Sequence, residues 1–270
     1  MSAADRGGPP ASPEDRGPTP AAGVNPPGAQ RLPARLGERR SPQAGLVGAW
    51  ALLPFGSCEA HGPHLPLDTD VRISEEMAVR AAVRLGERGV AAVVLPTLPY
   101  GVTTSAGPFP GTLTVSAEVL TALIVEICAS AVAQGARGVV FVNSHFEPAH
   151  IDALFKAAER VRATTGVSVV YPNLASRRYA ARLGAEFQSG ACHAGSFESS
   201  LILAVRPDLV GDRALPEVAI DLAAALRAGA KDFKEMGALD GYFGRPLDAT
   251  AAEGEALYEE MARIVVEGVG

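Results

Sequence analysis

Residues 57–70 read Ser-Cys-Glu-Ala-His-Gly-Pro-His-Leu-Pro-Leu-Asp-Thr-Asp, and they hold two of the chain's five histidines, His61 and His64, with Glu59, Asp68 and Asp70. Neutral imidazole and carboxylate together form the ligand set for zinc, manganese or ferrous iron. The other histidines sit in similar company. His145 and His150 lie in Val-Asn-Ser-His-Phe-Glu-Pro-Ala-His, after an apolar run, and His193 lies in Ala-Cys-His-Ala-Gly-Ser-Phe-Glu-Ser-Ser. No histidine is spent elsewhere, which points to one site built from three loops. The competing reading makes these turn residues, with Asp68 or Asp70 capping a helix.

Glu59 and His61 are two residues apart, a spacing that places both side chains on one face of an extended segment, and His145 and Glu147 repeat it. Two such pairs, with Asp70 able to bridge, make a two-metal cage. A pair of divalent ions can polarise a carbonyl and hold a bridging water as hydroxide, which points to hydrolysis of an unreactive bond such as an amide. The departing nitrogen needs a proton, and His193 is the candidate carrier, with helix capping or a distant hydrogen bond as its other reading. His64 and His150 fit better as donors that orient ligands. Cys58 and Cys192 flank the site, either as nucleophiles or as small apolar fillers.

Those loops need elements that bring them together. Pro63, Pro66 and Gly62 exclude a regular helix or central strand from the first loop, and the apolar run Leu46–Phe55 before it reads as a buried strand. Strands are further expected at 90–95, 138–143 and 167–171. Helices are expected at 73–89, after a Ser116 N-cap to Gly135, and at 149–164, 176–187, 196–205, 221–229 and 250–266. The expected fold is a three-layer α/β/α sandwich with a mostly parallel central sheet. In such a sheet the loops leaving parallel strands converge on one edge. The loop of about 20 residues after the second strand is longer than a connection requires, and such loops are usually functional or disordered.

Residues 1–43, rich in Pro, Gly, Ala, Arg and Ser, are expected to be a disordered tail, with residues 44–270 as the domain. A hydrophobic content of 47% supports a sizeable core, and a net charge of −6 gives no case for nucleic-acid binding. No apolar run reaches the length of a membrane span. Three cysteines without a CxxC suit a reducing compartment, so a cytoplasmic location is expected.

Together these motifs resemble the creatininase (creatinine amidohydrolase) family. Leu53 to His64 with Asp70, Phe109-Pro110-Gly111-Thr112, Val142 to Glu147 with Ser144 in place of Gly, and His193 to Ser200 are similar to its four ordered motifs. The resemblance implies two divalent metal ions, zinc, manganese or iron. Glu59, Asp70 and His145 would hold one, and His61, Asp70 and Glu147 the other. It implies His193 as proton shuttle and Glu198 as a carboxylate close to the site, and it implies a homo-oligomer, a hexamer in many members. Cys192 and Phe146 replace the Glu and Tyr of creatinine-hydrolysing members, and Trp50, expected in the core, is the one tryptophan where those members use several to enclose the ring. The expected substrate is therefore a small amide, lactam or formamide other than creatinine. The alternatives are a peptide-trimming peptidase of the mycofactocin-precursor type or a non-catalytic metal-stabilised binding protein.

Overall fold

The computed structural model describes residues 34–190, 192–220 and 222–270. Four strands, β1 (Trp50–Phe55), β2 (Ala92–Val94), β3 (Gly138–Asn143) and β4 (Ser168–Val170), form a parallel sheet in the order β2-β1-β3-β4. The register pairs Trp50 with Gly138 and Phe55 with Asn143. Long helices connect them: α1 (Thr69–Glu87), α2 (Ala117–Ala133) and α3 (Pro148–Thr165). Beyond β4 come the short α4 (Arg177–Ala180) and α5 (Ala185–Ser189), then α6 (Ser196–Val205), α7 (Leu222–Arg227) and α8 (Ala251–Val269).

Both central strands are buried on two faces, so they are apolar throughout, and alternate residues serve different cores. Trp50 and Leu52 of β1, with Val140 and Val142 of β3, pack under α1, α6 and α8. Ala51, Leu53, Phe55, Val139 and Phe141 face the other way, against α2 and α3. The expected α/β/α sandwich is what forms. Ser116 caps α2, its Oγ accepting from Val119 N at 3.2 Å, and Thr250 caps α8 by accepting from Glu253 N.

Several expectations differ in detail, among them α1, which starts at Thr69 rather than at residue 73. The helix expected over 176–187 is divided into α4 and α5, because Gly184 takes the left-handed conformation (φ 90°) and turns the chain. The first strand starts at Trp50, since Leu46 to Ala49 form a turn closed by Ala49 N donating to Leu46 O at 3.1 Å. Of the expected tail, residues 1–33 lie outside the described residues. Ala34 to Leu36 pack at the sheet edge, with Val94 N donating to Ala34 O at 3.0 Å and Arg35 Nε to Glu75 Oε1 at 2.6 Å, while 40–43 are exposed. No described helix is long and apolar enough to cross a membrane.

Candidate metal centre

The loops after β1 and β3 leave the same edge of the sheet, and the start of α1 folds back between them. Gly56 permits this close approach, since a Cβ there would lie 2.5 Å from Val71 N. Ser144 fixes the other side, its hydroxyl donating to Asp70 O at 2.8 Å. Asp70 is thereby set between two buried imidazoles: Oδ1 is 3.3 Å from His61 Nε2, and Oδ2 is 3.1 Å from His145 Nδ1. Glu59 Oε1 lies 3.3 Å from His145 Nδ1 and 4.0 Å from His61 Nε2. Glu198 comes from the first turn of α6, with Oε2 3.5 Å from His61 Nε2.

The tautomers follow from the outer partners. His61 Nδ1 is 3.1 Å from Glu59 O, and His145 Nε2 is 2.8 Å from Val102 O. A carbonyl can only accept, so each of those nitrogens carries a proton, and the other ring nitrogens, His61 Nε2 and His145 Nδ1, face the carboxylates, where a neutral ring presents its lone pair. That is the ring orientation of a metal-ligating histidine. Among the described residues, His61 Nε2 and Asp70 Oδ2 are buried without a hydrogen-bond partner. Buried polar atoms of this kind call for a partner the protein itself does not supply. Two overlapping triads, Glu59–Asp70–His145 and His61–Asp70–Glu198, have donor atoms all within 4.8 Å of one another, and a third group is Glu59–His61–His193. The donor set fits divalent cations.

Charge tells the same story. Burial alone would lower His61, yet Asp70, Glu198 and Glu59 carry its pKa up to about 10. His145 is driven well up in the same way by Glu59 and Asp70, against its burial. Burial would raise Glu59, but His145 holds it down at about 2. Burial pushes Glu198 up to about 8. Without a cation the acidic groups draw positive charge onto His61 and His145 and Glu198 keeps its proton; a divalent cation would take the place of those protons.

His193 is turned into the same space. Its Nε2 donates to Ala60 O at 2.9 Å, leaving Nδ1 3.8 Å from Glu59 Oε1. Its pKa is lowered to about 4 by burial and by nearby His61. Glu186 of α5 fixes the start of α6, accepting from Phe197 N at 2.9 Å and Ser196 Oγ at 3.0 Å. Ala194 N donates to Glu198 Oε2 at 2.6 Å. His150 holds the Val102 peptide, accepting from Val102 N at Nδ1 and donating from Nε2 to Asn143 Oδ1 at 3.1 Å. His64 bonds Ser199 Oγ at 3.1 Å. His150 thus supports the peptide whose carbonyl meets His145, whereas His64 bonds a serine of α6 that does not line the cavity.

Glu147 lines the same cavity but, among the described residues, belongs to none of the three close-set ligand groups. The chain turns into α3 at this residue, so the two-residue alternation of a strand no longer carries its side chain to the face of His145. Its carboxylate instead accepts from Thr104 N, Thr104 Oγ1 and Ser105 N, and Glu198 stands beside His61. Asp68 pairs with Arg72 at 2.6 Å on the surface of α1. Burial raises the thiol pKa of Cys58, and that of Cys192 far more, so neither is an activated nucleophile.

The cluster forms the floor of a cavity of about 140 Å³. Phe146, Leu222, Phe233, Met236 and Phe243 supply apolar wall, and the Phe233 ring lies 4.6 Å from that of His193. Most of this wall comes from residues 218–244, tied at their ends by hydrogen bonds between Val218 and Gly244. Sequence reading gave that stretch a helix at 221–229 and no site residue; its signal was Phe233, Tyr242 and Phe243 set among glycines. Thr103, whose hydroxyl donates to Glu59 Oε2, was also missed, although its loop was singled out by length.

The sequence profile of the creatininase (creatinine amidohydrolase) family matches residues 43–269. The mycofactocin precursor peptide peptidase of Mycolicibacterium smegmatis is 34% identical over 238 residues, covering 85% of this chain and 88% of its own. The Mycobacterium tuberculosis protein of that name is 34% identical over 247 residues, covering 86% and 90%. Creatinine amidohydrolase of Pseudomonas putida is 30% identical over 179 residues, 59% of this chain and 65% of its own. A crystal structure of creatininase superposes with a TM-score of 0.67 at 23% identity, covering 89% of this chain and 98% of that one. A manganese form of creatininase gives 0.65 at 22%, covering 88% and 98%. At these identities the structures speak for the fold alone.

Proposed function

The chain belongs to the creatininase family of hydrolases, and from that premise we propose that it is a metal-dependent amidohydrolase that trims a short peptide at an amide bond. The observation that carries this reading is the convergence of Glu59, His61, Asp70, His145 and Glu198, all but His61 lining one apolar-walled cavity. Glu59, Asp70 and His145 would hold one divalent cation, and His61, Asp70 and Glu198 the other, with one Asp70 oxygen turned to each side. Imidazole with carboxylate suits zinc, manganese or iron. When bound, such ions polarise the amide carbonyl and acidify the attacking water.

The chain's own groups do the rest. With Nε2–H committed to Ala60 O, His193 presents Nδ1 as its basic atom. It takes the proton released by the attacking water there and returns it to the departing nitrogen. Phe233, packed against that ring, keeps bulk water from competing. A purely structural site would be closed by protein on every side, whereas Glu59, Asp70, His145 and Glu198 all line the cavity.

The peptide reading is supported by the 34%-identical relatives named as peptidases over most of their length. It is also supported by an apolar wall able to receive a side chain beside the scissile bond. Trp50 is buried in β1 under Arg137 and cannot flank a flat ring, and Phe146 has no hydroxyl to offer one. The modest cavity favours a second reading, hydrolysis of a small amide or formamide. Zinc- or manganese-loaded protein should cleave short unblocked peptides by mass spectrometry and leave creatinine intact. Preferential turnover of creatinine, or full activity after exhaustive chelation, would overturn the proposal.

A further inference from the structure

Three segments meet at one side chain outside the cavity, Glu186 of α5. Its Oε1 accepts from Phe197 N at 2.9 Å, and its Oε2 accepts from Ser196 Oγ at 3.0 Å and from Arg245 N at 3.2 Å. The first two donors open α6, directly after the loop that carries His193. The third lies two residues beyond Phe243, where the aromatic wall ends. Between these arms Phe243 N donates to His193 O at 2.8 Å, so the histidine loop and the end of the wall lie side by side. Gly195 makes room for the carboxylate. Its backbone (φ −83°) would accept a side chain, but a Cβ there would run into Glu186 Oε1 and lie 2.8 Å from Phe243 O.

We propose that Glu186 is a positioning residue for His193, a three-armed clip that seats the histidine loop through the start of α6 and fastens the aromatic wall to it through Arg245 N. The loop needs such a hold. Ala194, the residue after His193, has φ 53°, a left-handed conformation that is unfavourable for a residue with a side chain and persists only where its neighbours are fixed. Its N–H is aimed at Glu198 Oε2, so the same kink orients a second group of the site. Glu186 fixes the neighbours on the C-terminal side. Its carboxylate engages two backbone N–H groups and a hydroxyl, charge-assisted bonds that are shorter and stronger than neutral ones. It also places negative charge at the positive end of α6. Releasing the clip frees Ser196 and Phe197, lets Ala194 leave its left-handed conformation, and turns His193 away from the amide it serves.

This inference rests on the reading of His193 as proton carrier, and the experiment separates the two. Amide hydrogen exchange is followed residue by residue by NMR in the full chain, beside zinc content and peptide hydrolysis. In Glu186→Ala exchange should quicken at Phe197 and Arg245, which lose their acceptor, and also at Ala194 and Phe243, which do not touch Glu186. Zinc content should stay at the wild-type value, while kcat falls roughly 10²-fold, the scale of a 1 Å misplacement, with KM little changed. Glu186→Gln keeps an oxygen for Phe197 N but sets an amide N–H against Arg245 N. It should restore Ala194 and most of kcat and leave Arg245 fast. Gly195→Ala, whose Cβ displaces the carboxylate, should reproduce Glu186→Ala, and the double variant should lose no more than Gly195→Ala alone. Glu186→Asp, one methylene short of α6, should show a smaller change of the same kind and covers a Glu186→Ala that fails to fold. Ser116→Ala, which weakens the cap of α2 on the far layer, should lower Tm without lowering kcat. Unchanged exchange at Ala194 and Phe243, kcat unaffected as in Ser116→Ala, zinc lost in step with kcat, or losses that add in the double variant would each overturn the clip. A wild-type chain that cleaves no peptide would overturn the proposed function, and exchange at Ala194 would then decide the clip by itself.

Discussion

Gly254→Ala sets two physical effects against each other with opposite signs. Gly254 lies in α8 where that helix crosses α6, and a Cβ there would sit 1.9 Å from Ser200 O, 2.5 Å from Ser200 C and 2.9 Å from Ala204 Cβ. Intrinsic helix propensity favours alanine over glycine by about 1 kcal/mol. The clash opposes it, and the nearest atoms are backbone, so no rotamer change relieves it. Moving from 1.9 Å to the 3.4 Å of ordinary contact requires α8 to retreat by roughly 1.5 Å. A gap of that size strips dispersion contact from Leu257, Tyr258 and Met261, all in the same core as Leu201 and Ile202. Overpacking of this kind costs up to about 3 kcal/mol, so about 2 kcal/mol net destabilisation is expected after the propensity gain. For a domain of this size that is a Tm lower by about 4–8 °C in thermal unfolding. Gly268→Ala in the same helix meets only the Val170 side-chain tip and should cost less. A Tm equal to or above wild type in Gly254→Ala would refute the close crossing, and with it the rigid seating of the helix that carries Glu198.

Asp70→Asn removes the charge shared by both candidate triads and should strip zinc or manganese from both positions, with hydrolysis falling at least ~10²-fold. Unchanged metal content by elemental analysis would contradict the reading of the centre. His193→Gln should lower kcat by ~10²–10⁴-fold while metal stoichiometry stays at wild type, and equal losses of metal and rate would remove it as the proton carrier. His150 is buried and neutral, with a folded pKa well below 6.5 because of desolvation and nearby His145. Unfolding then takes up a proton, so its contribution is complete above pH 6.5 and is lost as pH falls toward the folded value, at no more than ~1.4 kcal/mol per pH unit. Urea titrations of wild type and His150→Gln between pH 7 and 5 should show the steeper acid loss in the wild type only.

Much of the fold was legible in the chain because the central strands are buried on both faces. Runs such as Trp50–Phe55 and Gly138–Val142 must then be apolar throughout, while the helices between them keep a polar face. Capping chemistry located the start of α2 through Ser116. The site was legible for a related reason. Histidines gathered after strand ends, with carboxylates two residues away, converge once those strands run parallel.

Sequence alone therefore determined which loops meet and the class of ligand they offer. Which carboxylate faces which imidazole was decided only by tertiary structure. Spacing along an extended segment placed Glu147 beside His145, but the chain turns into α3 there, and the donors of Thr104 and Ser105, more than 40 residues away, claim that carboxylate. Glu198 reaches His61 because Glu186 seats α6 and Gly254 lets α8 lie close behind it. The aromatic wall from residues 218–244 is likewise held by long-range bonds, Phe233 N to Ser105 O and Phe243 N to His193 O. Local periodicity carries no information about contacts made across such distances, because they are fixed by packing between elements and not by the geometry of any one of them.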